Sequence, residues 1–98
     1  MSVSDWTLEF ESLGPAGYIC YKEGLNTIKF YYEFGGGKVV AIMYPPDKQV
    51  WDEKFPWATG RRQEIVERVV QETIRQKMPR CVAKEDRKTS SIEFRSKR

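Results

Sequence analysis

Two adjacent arginines, Arg61 and Arg62, are the residues of this chain with the most evident chemistry, since they lie in the first turn of its predicted helix. The first turn of a helix exposes free backbone N–H groups that attract anions, and guanidinium groups bind phosphate or carboxylate oxygens in pairs. In the alternative interpretation nearby carboxylates neutralise both arginines, with Arg61 paired to Glu64 and Arg62 paired to Asp52 or Glu53. The sequence therefore predicts either an anion-binding pair or a set of local ion pairs.

The segment just before these arginines is rich in aromatic residues and proline. Tryptophan, tyrosine and arginine are enriched where proteins bind one another. We expect a partner-binding surface here, formed by Trp51, Phe55, Trp57, Arg61, Arg62 and Tyr31. In the alternative interpretation, residues 44–57 fold back as a satellite of the core. The leading hypothesis is a small binding protein, of the adaptor, inhibitor or immunity type, with a protein partner or a second copy of itself.

Charge is distributed unevenly along the chain. Residues 1–60 carry five lysines and eight acidic groups, whereas residues 61–98 carry twelve basic and six acidic groups, among them every arginine. A basic half suits nucleic acid, so the alternative hypothesis is a nucleic-acid-binding accessory protein. Its candidate contacts are Arg80, Lys84, Arg87, Lys88 and Arg95. Its candidate stacking platforms are Tyr18, Tyr21 and Tyr31. The alternating charges of the predicted helix argue against this second hypothesis.

The residues that are missing exclude whole classes of chemistry. The chain has no histidine, so Ser-His-Asp and Cys-His arrangements and zinc sites that need imidazole are impossible. The two cysteines, Cys20 and Cys81, lie far apart in apolar strand-like contexts, and we expect both to be reduced and buried. We therefore predict no catalytic residues, no cofactor and no metal site, and we expect that the protein is not an enzyme.

Length and charge spacing limit the organisation of the chain. At 98 residues we expect one domain over 1–98, with frayed ends at about 1–4 and 96–98. Charged residues interrupt every apolar run, so no membrane span is expected. Asp5 and Glu9 stand where a signal peptide would be basic and then apolar, so we expect a cytoplasmic protein.

The hydrophobic pattern predicts four strands, then one helix, then two strands. Strands are predicted at 6–11, 18–22, 27–34 and 38–44, with a closing hairpin of 81–84 and 91–95. In the third strand Ile28, Phe30 and Tyr32 alternate with polar residues, which places them on the core side. The connection 47–59 is expected to be irregular, with a short strand at 49–52.

The helix is predicted over 60–78, with Thr59 as its N-cap and Pro79 ending it. It carries a continuous apolar stripe of Ile65, Val66, Val69, Val70, Thr73, Ile74 and Met78. The predicted fold class is α+β: a two-layer sandwich with a mainly antiparallel sheet of five or six strands under one long amphipathic helix, in the order β-β-β-β-α-β-β. Such a helix covers three or four strands of one face. The uncovered face is where we expect function.

Overall fold

A six-stranded antiparallel sheet is the main layer of the computed structural model, which describes residues 5–97. Its strands are β1 (Trp6–Leu13), β2 (Ala16–Glu23), β3 (Asn26–Phe34), β4 (Val39–Tyr44), β5 (Cys81–Asp86) and β6 (Ser91–Ser96). The order across the sheet is β1-β2-β3-β4-β6-β5. The second layer holds α1 (Lys48–Lys54), a short 3-10 helix (Pro56–Ala58) and α2 (Arg62–Lys77). The predicted fold class is confirmed.

Strand alternation divides the sheet into two faces that differ in composition. The face toward α2, called here the inward face, carries Ile28, Phe30 and Met43, each at most 1% exposed. Side chains of the other parity point the opposite way, toward what we call the open face. Among the described residues, no helix packs on this open face. The open face is therefore an uncovered surface of the domain.

Helix α2 docks through the stripe that the sequence predicted. Ile65 and Val69 are fully buried in one cluster with the inward strands, and Thr73 is 2% exposed. The helix begins at Arg62, two residues later than Thr59 would require for capping. Thr59 instead donates its hydroxyl to the Pro56 carbonyl, and Arg61 occupies the cap position without a side-chain cap. The predicted N-cap is therefore wrong.

The predicted irregular connection is also wrong in part, because 48–54 is helical rather than a loop with a strand. Asp47 caps α1 by accepting the backbone N–H of Gln49 at 2.9 Å. Trp51 is 1% exposed and donates its indole N–H to the Ala58 carbonyl at 2.9 Å. This bond fastens α1 to the 3-10 helix, and both then close one end of the core.

The ends of the chain bear on the expected fraying. Residues 1–4 and 98 lie outside the described residues. Ser96 is the last residue of β6 and donates its backbone N–H to the Lys38 carbonyl at 2.8 Å. Lys97 donates in the same way to Arg80 at 3.1 Å. The described C-terminal residues are therefore tied to neighbouring segments by backbone hydrogen bonds.

Gly17 provides a test of close packing between β1, β2 and β3. A Cβ there would collide with the Glu11 carbonyl oxygen and stand 2.8 Å from the Tyr32 hydroxyl oxygen. Gly17→Ala should lower the free energy of unfolding by about 2 kcal/mol, since overpacking a tight site forces its neighbours to move. Urea unfolding measures the change. Gly36→Ala is the matched control, because a Cβ at Gly36 meets nothing within 4 Å and should leave stability nearly unchanged.

Candidate functional site

Three tyrosines form a row across the middle of the open face. The strand registers place Tyr18 opposite Tyr31 and Tyr31 opposite Tyr44. Their ring centroids are 5.7 and 6.0 Å apart, within the range of favourable aromatic pairs. Tyr31 is 36% and Tyr44 39% exposed, and the Lys29 ammonium lies 5.4 Å from the Tyr18 ring centroid. The tyrosine row is thus a continuous, partly exposed aromatic surface on three adjacent strands.

Glu33 supplies a carboxylate at the edge of this row. It accepts a hydrogen bond from the Tyr31 hydroxyl at 3.1 Å and one from the Tyr44 hydroxyl at 3.4 Å. The hydrogen bond to Glu33 and then burial raise the pKa of Tyr31, whereas burial and then the Glu33 charge raise the pKa of Tyr44. Among residues 5–97, Glu33 is not joined to any lysine or arginine by an ion pair. Its charge remains available to a cation from outside.

The β1 side of the open face is neutralised by its own ion pairs. Lys22 contacts Glu9 at 2.9 Å, and Lys29 contacts Glu11 at 3.4 Å. Beneath them Cys20 is 1% exposed, and burial followed by the Glu11 charge raises the pKa of its thiol. A thiol that is buried and hard to ionise is a poor nucleophile. This side of the face offers neither a free charge nor a reactive sulfur.

The β6 side mixes apolar and charged groups. The registers place Ile42 between Glu33 and Glu93, and Glu93 opposite Lys84. Arg95 approaches Glu93 at 3.9 Å. Val82, opposite Arg95, is 46% exposed. This half continues the aromatic surface with a short apolar strip and a balanced set of charges.

The residues predicted for the partner surface do not come together in one place. Trp51 is buried, and Phe55 packs on it with ring centroids 4.9 Å apart. Trp57 is half-buried, and the Arg61 guanidinium lies 5.9 Å from the centroid of its ring. These aromatic residues close the core on the helix side, whereas Tyr31 lies on the open face. The geometry matches the alternative interpretation, a satellite of the core.

Arg61 forms an ion-pair cluster instead of a free anion site. Its guanidinium donates to both oxygens of Glu23, at 3.0 and 3.1 Å, and to Glu64 at 3.0 and 3.1 Å. These bonds lower the pKa of Glu23 and raise that of Arg61. Arg68 joins the cluster through the Tyr21 hydroxyl at 2.8 Å. Tyr21 is fully buried on the inward face, so it cannot serve as a stacking platform.

Arg62 also turns inward, though to a different partner from those predicted. Its Nε donates to the Pro46 carbonyl at 2.8 Å, and burial lowers the pKa of its guanidinium. Asp52, a predicted partner, instead accepts the backbone N–H of Gly60 at 2.9 Å. The two arginines therefore diverge, one toward β2 and one toward the segment that follows β4.

The basic residues of the nucleic-acid hypothesis are spread over one hairpin. Lys84 and Arg95 share the open face, Arg87 and Lys88 lie in the β5–β6 turn, and Arg80 precedes β5 at its other end. A six-residue strand spans about 20 Å. Acidic residues are interspersed among them: Glu85, Asp86 and Glu93. The hairpin therefore lacks a uniformly basic stripe.

Comparison with known proteins adds no relative: no protein-family model, curated protein or solved structure matches this chain. In the described residues, no group of three or more cysteine, aspartate or glutamate side chains is arranged to hold a metal ion. None of the helices in the described part of the chain is long and apolar enough to cross a membrane.

Sequence reasoning identified Tyr31 but missed Tyr44 and Glu33 as its neighbours. Period-two alternation in β3 already places Tyr31 and Glu33 on one face. Tyr44 required the β3–β4 register, which pairs it with Tyr31 and depends on the glycine-rich turn between the strands. The alternation within β3 could therefore have identified Glu33 from the sequence, whereas Tyr44 could not be identified without knowing how β3 and β4 pair.

The contribution of the Glu33 carboxylate to the raised pKa values of Tyr31 and Tyr44 can be tested. Glu33→Gln should lower the pKa of both Tyr31 and Tyr44 toward the ordinary value of about 10, because a neutral amide no longer opposes phenolate formation. Titration of carbon-13-labelled tyrosine rings by NMR resolves each residue. Glu93→Gln, on the far side of Ile42, is the control and should leave both values unchanged; equal shifts in the two variants would contradict this account.

The Glu23 cluster makes a prediction about pH. Arg61 lowers the pKa of Glu23 from its ordinary value of 4.5, so the stabilisation is present above that value and is lost as the pH falls through the lowered pKa. Glu23→Gln should cost about 2 kcal/mol at neutral pH, since it leaves partly buried arginines without their carboxylate. In urea unfolding this difference should shrink under strongly acidic conditions. Glu9→Gln is the control, since its ion pair with Lys22 is exposed on both sides, at 59% and 42%, and it should show little difference at any pH.

Proposed function

We propose that this protein is a small non-enzymatic binding protein that recognises another protein through the open face of its sheet. The observation that carries the proposal is the row of Tyr18, Tyr31 and Tyr44 with the unpaired carboxylate of Glu33 beside it. Tyrosine contributes a large contact area at a low cost in conformational entropy, because only two torsions are fixed. A row already held by ring contacts and hydrogen bonds loses little further freedom on binding.

The charge of the open face indicates the chemistry of the partner. Glu9 and Glu11 are matched by lysines within the face, whereas Glu33 accepts only tyrosine hydroxyls among the described residues. A partner arginine or lysine would form an ion pair with the Glu33 carboxylate. The same cation would lie against the rings of Tyr31 and Tyr44, since cations are attracted to aromatic faces. We therefore propose a protein partner with a basic side chain at the centre of its contact surface.

Nucleic acid fits this face less well than a protein does. Single-stranded binding combines stacking rings with a basic groove that follows the phosphates. Here the carboxylate of Glu33 lies beside the rings, and Glu93 separates it from Lys84 and Arg95. Phosphates would meet repulsion next to the stacking platform. The two free cysteines, Cys20 and Cys81, suit a reducing compartment, which supports a cytoplasmic site of action.

Binding through the open face is tested with two double variants. Tyr31→Ala with Tyr44→Ala should weaken partner binding by more than about tenfold, because truncating central tyrosines removes the anchors of an interface. Gln63→Ala with Gln71→Ala, on the exposed side of α2, is the matched control and should bind like the wild type. Partners are captured from nuclease-treated lysate, identified, produced in pure form and measured by calorimetry.

Charge reversal at Glu33 then tests the chemistry of the partner. Glu33→Arg should abolish binding, and an opposite change at the contacting arginine or lysine of the identified partner should restore it. The proposal is wrong if the tyrosine variant captures the same partner equally well. It is also wrong if sedimentation shows that the face joins two copies of this chain, or if binding is to oligonucleotides and requires Lys84 and Arg95.

A further inference from the structure

A second candidate site lies on the other side of the sheet, in a cavity between the inward face and the C-terminal half of α2. The cavity is partly open to solvent and has a volume of about 370 Å³, near the lower end of the roughly 300–1,000 Å³ typical of small-molecule sites. Its walls are mostly apolar and include Phe10, Ile19, Phe34, Val40 and Phe94. A cavity of this size and lining fits one small ligand with an apolar body.

Thr73 is the unusual residue in the wall of this cavity. It is 2% exposed, and its hydroxyl oxygen has no hydrogen-bond partner. A threonine inside a helix commonly returns its hydroxyl to the carbonyl four residues earlier, and a buried hydroxyl without any partner is costly. The oxygen has almost no accessible surface in the free protein. A turn about the Cα–Cβ bond would bring it to the cavity, where an oxygen atom of a bound ligand would supply the missing acceptor.

Lys77 is the one charged residue among the described residues that line the cavity. It lies four positions after Thr73, so both side chains are on the same side of α2, with Cβ atoms about 6 Å apart. Its ammonium stands 4.9 Å from the centroid of the Phe10 ring, and the lining contains no carboxylate to neutralise it. A single ligand carboxylate could thus accept a hydrogen bond from Thr73 and pair with Lys77.

We propose that this cavity binds a small monocarboxylate with an apolar chain, such as a medium-chain alkanoate. The carboxylate lies between Thr73 and Lys77, and the chain lies against the aromatic and aliphatic walls. The site is separate from the open face, because its walls belong to α2 and to the opposite side of the same strands. It does not depend on the proposed protein partner.

Octanoate is the probe, and it is titrated into the nitrogen-15-labelled protein while NMR shifts are followed. The largest shifts should map to Phe10, Ile19, Val40, Thr73 and Phe94. Octan-1-ol, which has the chain but no charge, should bind at least tenfold more weakly, since an ion pair and a charge-assisted hydrogen bond are lost. Equal binding of the two probes, shifts scattered over the surface or the absence of shifts would each overturn the proposal.

Two variants test the assigned roles. Thr73→Val keeps the shape of the side chain, so it should weaken octanoate binding about tenfold while the melting temperature of the free protein stays the same or rises. Lys77→Gln should weaken binding of octanoate but not of octan-1-ol. Lys77 also suits the helix dipole in the last turn of α2, and only the octanoate affinity separates the two roles.

Lys88→Gln, in the exposed β5–β6 turn, removes the same charge far from the cavity and should bind octanoate like the wild type. Binding that is insensitive to both Thr73→Val and Lys77→Gln would contradict the assigned geometry. Because Thr73→Val is isosteric and Lys77 is exposed, both variants are expected to fold. Their one-dimensional NMR spectra verify this before titration.

Discussion

The burial of one helical stripe against one face of one sheet is the constraint on which the rest of this structure depends. Ile65 and Val69 of α2 have no accessible surface, and the strand residues beneath them, Phe30 and Met43, have none either. With a single long helix, the apolar material of the chain must converge on the inward face. Period-two alternation then sends the remaining side chains outward. Tyrosine suits that outward position because its ring packs on its neighbours while its hydroxyl stays near water.

Contacts with β2 and with the segment after β4 explain why the two arginines at the start of α2 do not form an anion site. A cation near a helix N-terminus is disfavoured by the helix dipole, so each guanidinium requires compensation. Glu23 at the end of β2 provides it for Arg61. Arg62 donates its Nε to the Pro46 carbonyl, whereas its buried Nη2 has no hydrogen-bond partner. These contacts connect the start of α2 to the sheet at two points. A sequence feature that suggests ligand chemistry is here used to orient the helix.

Local patterns predicted the strands and α2 because each reflects a periodicity that can be read within a few residues. Helix α1 escaped prediction, since its seven residues acquire helical structure from the Asp47 cap and from the burial of Trp51 against Ala58. Such contacts depend on tertiary context, which outweighs intrinsic propensity in short helices. The tyrosine row was not predicted for a related reason. Alternation assigns Tyr31 and Tyr44 each to a face of its own strand, but only the β3–β4 register makes them neighbours. Thr73 read as an ordinary stripe residue because a missing hydrogen bond leaves no mark in the sequence.

The two candidate sites lie on opposite faces of the same strands. In β3, Tyr31 belongs to the open face and Tyr32 to the cavity wall; in β4, Ile42 and Ala41 divide in the same way. Adjacent residues on a regular strand point to opposite faces, so each site is built from its own parity of side chains on a common backbone. Val40 is the exception: it has the parity of Ile42 but lines the cavity, at the irregularity in the β4–β6 register between Val39 and Ala41. A side-chain substitution on one face therefore leaves the lining of the other in place. A change in strand register would destroy both sites together, because it exchanges the two faces. The hydrogen-bonded pairing of β2, β3 and β4 is thus the shared requirement of the aromatic surface and the apolar cavity.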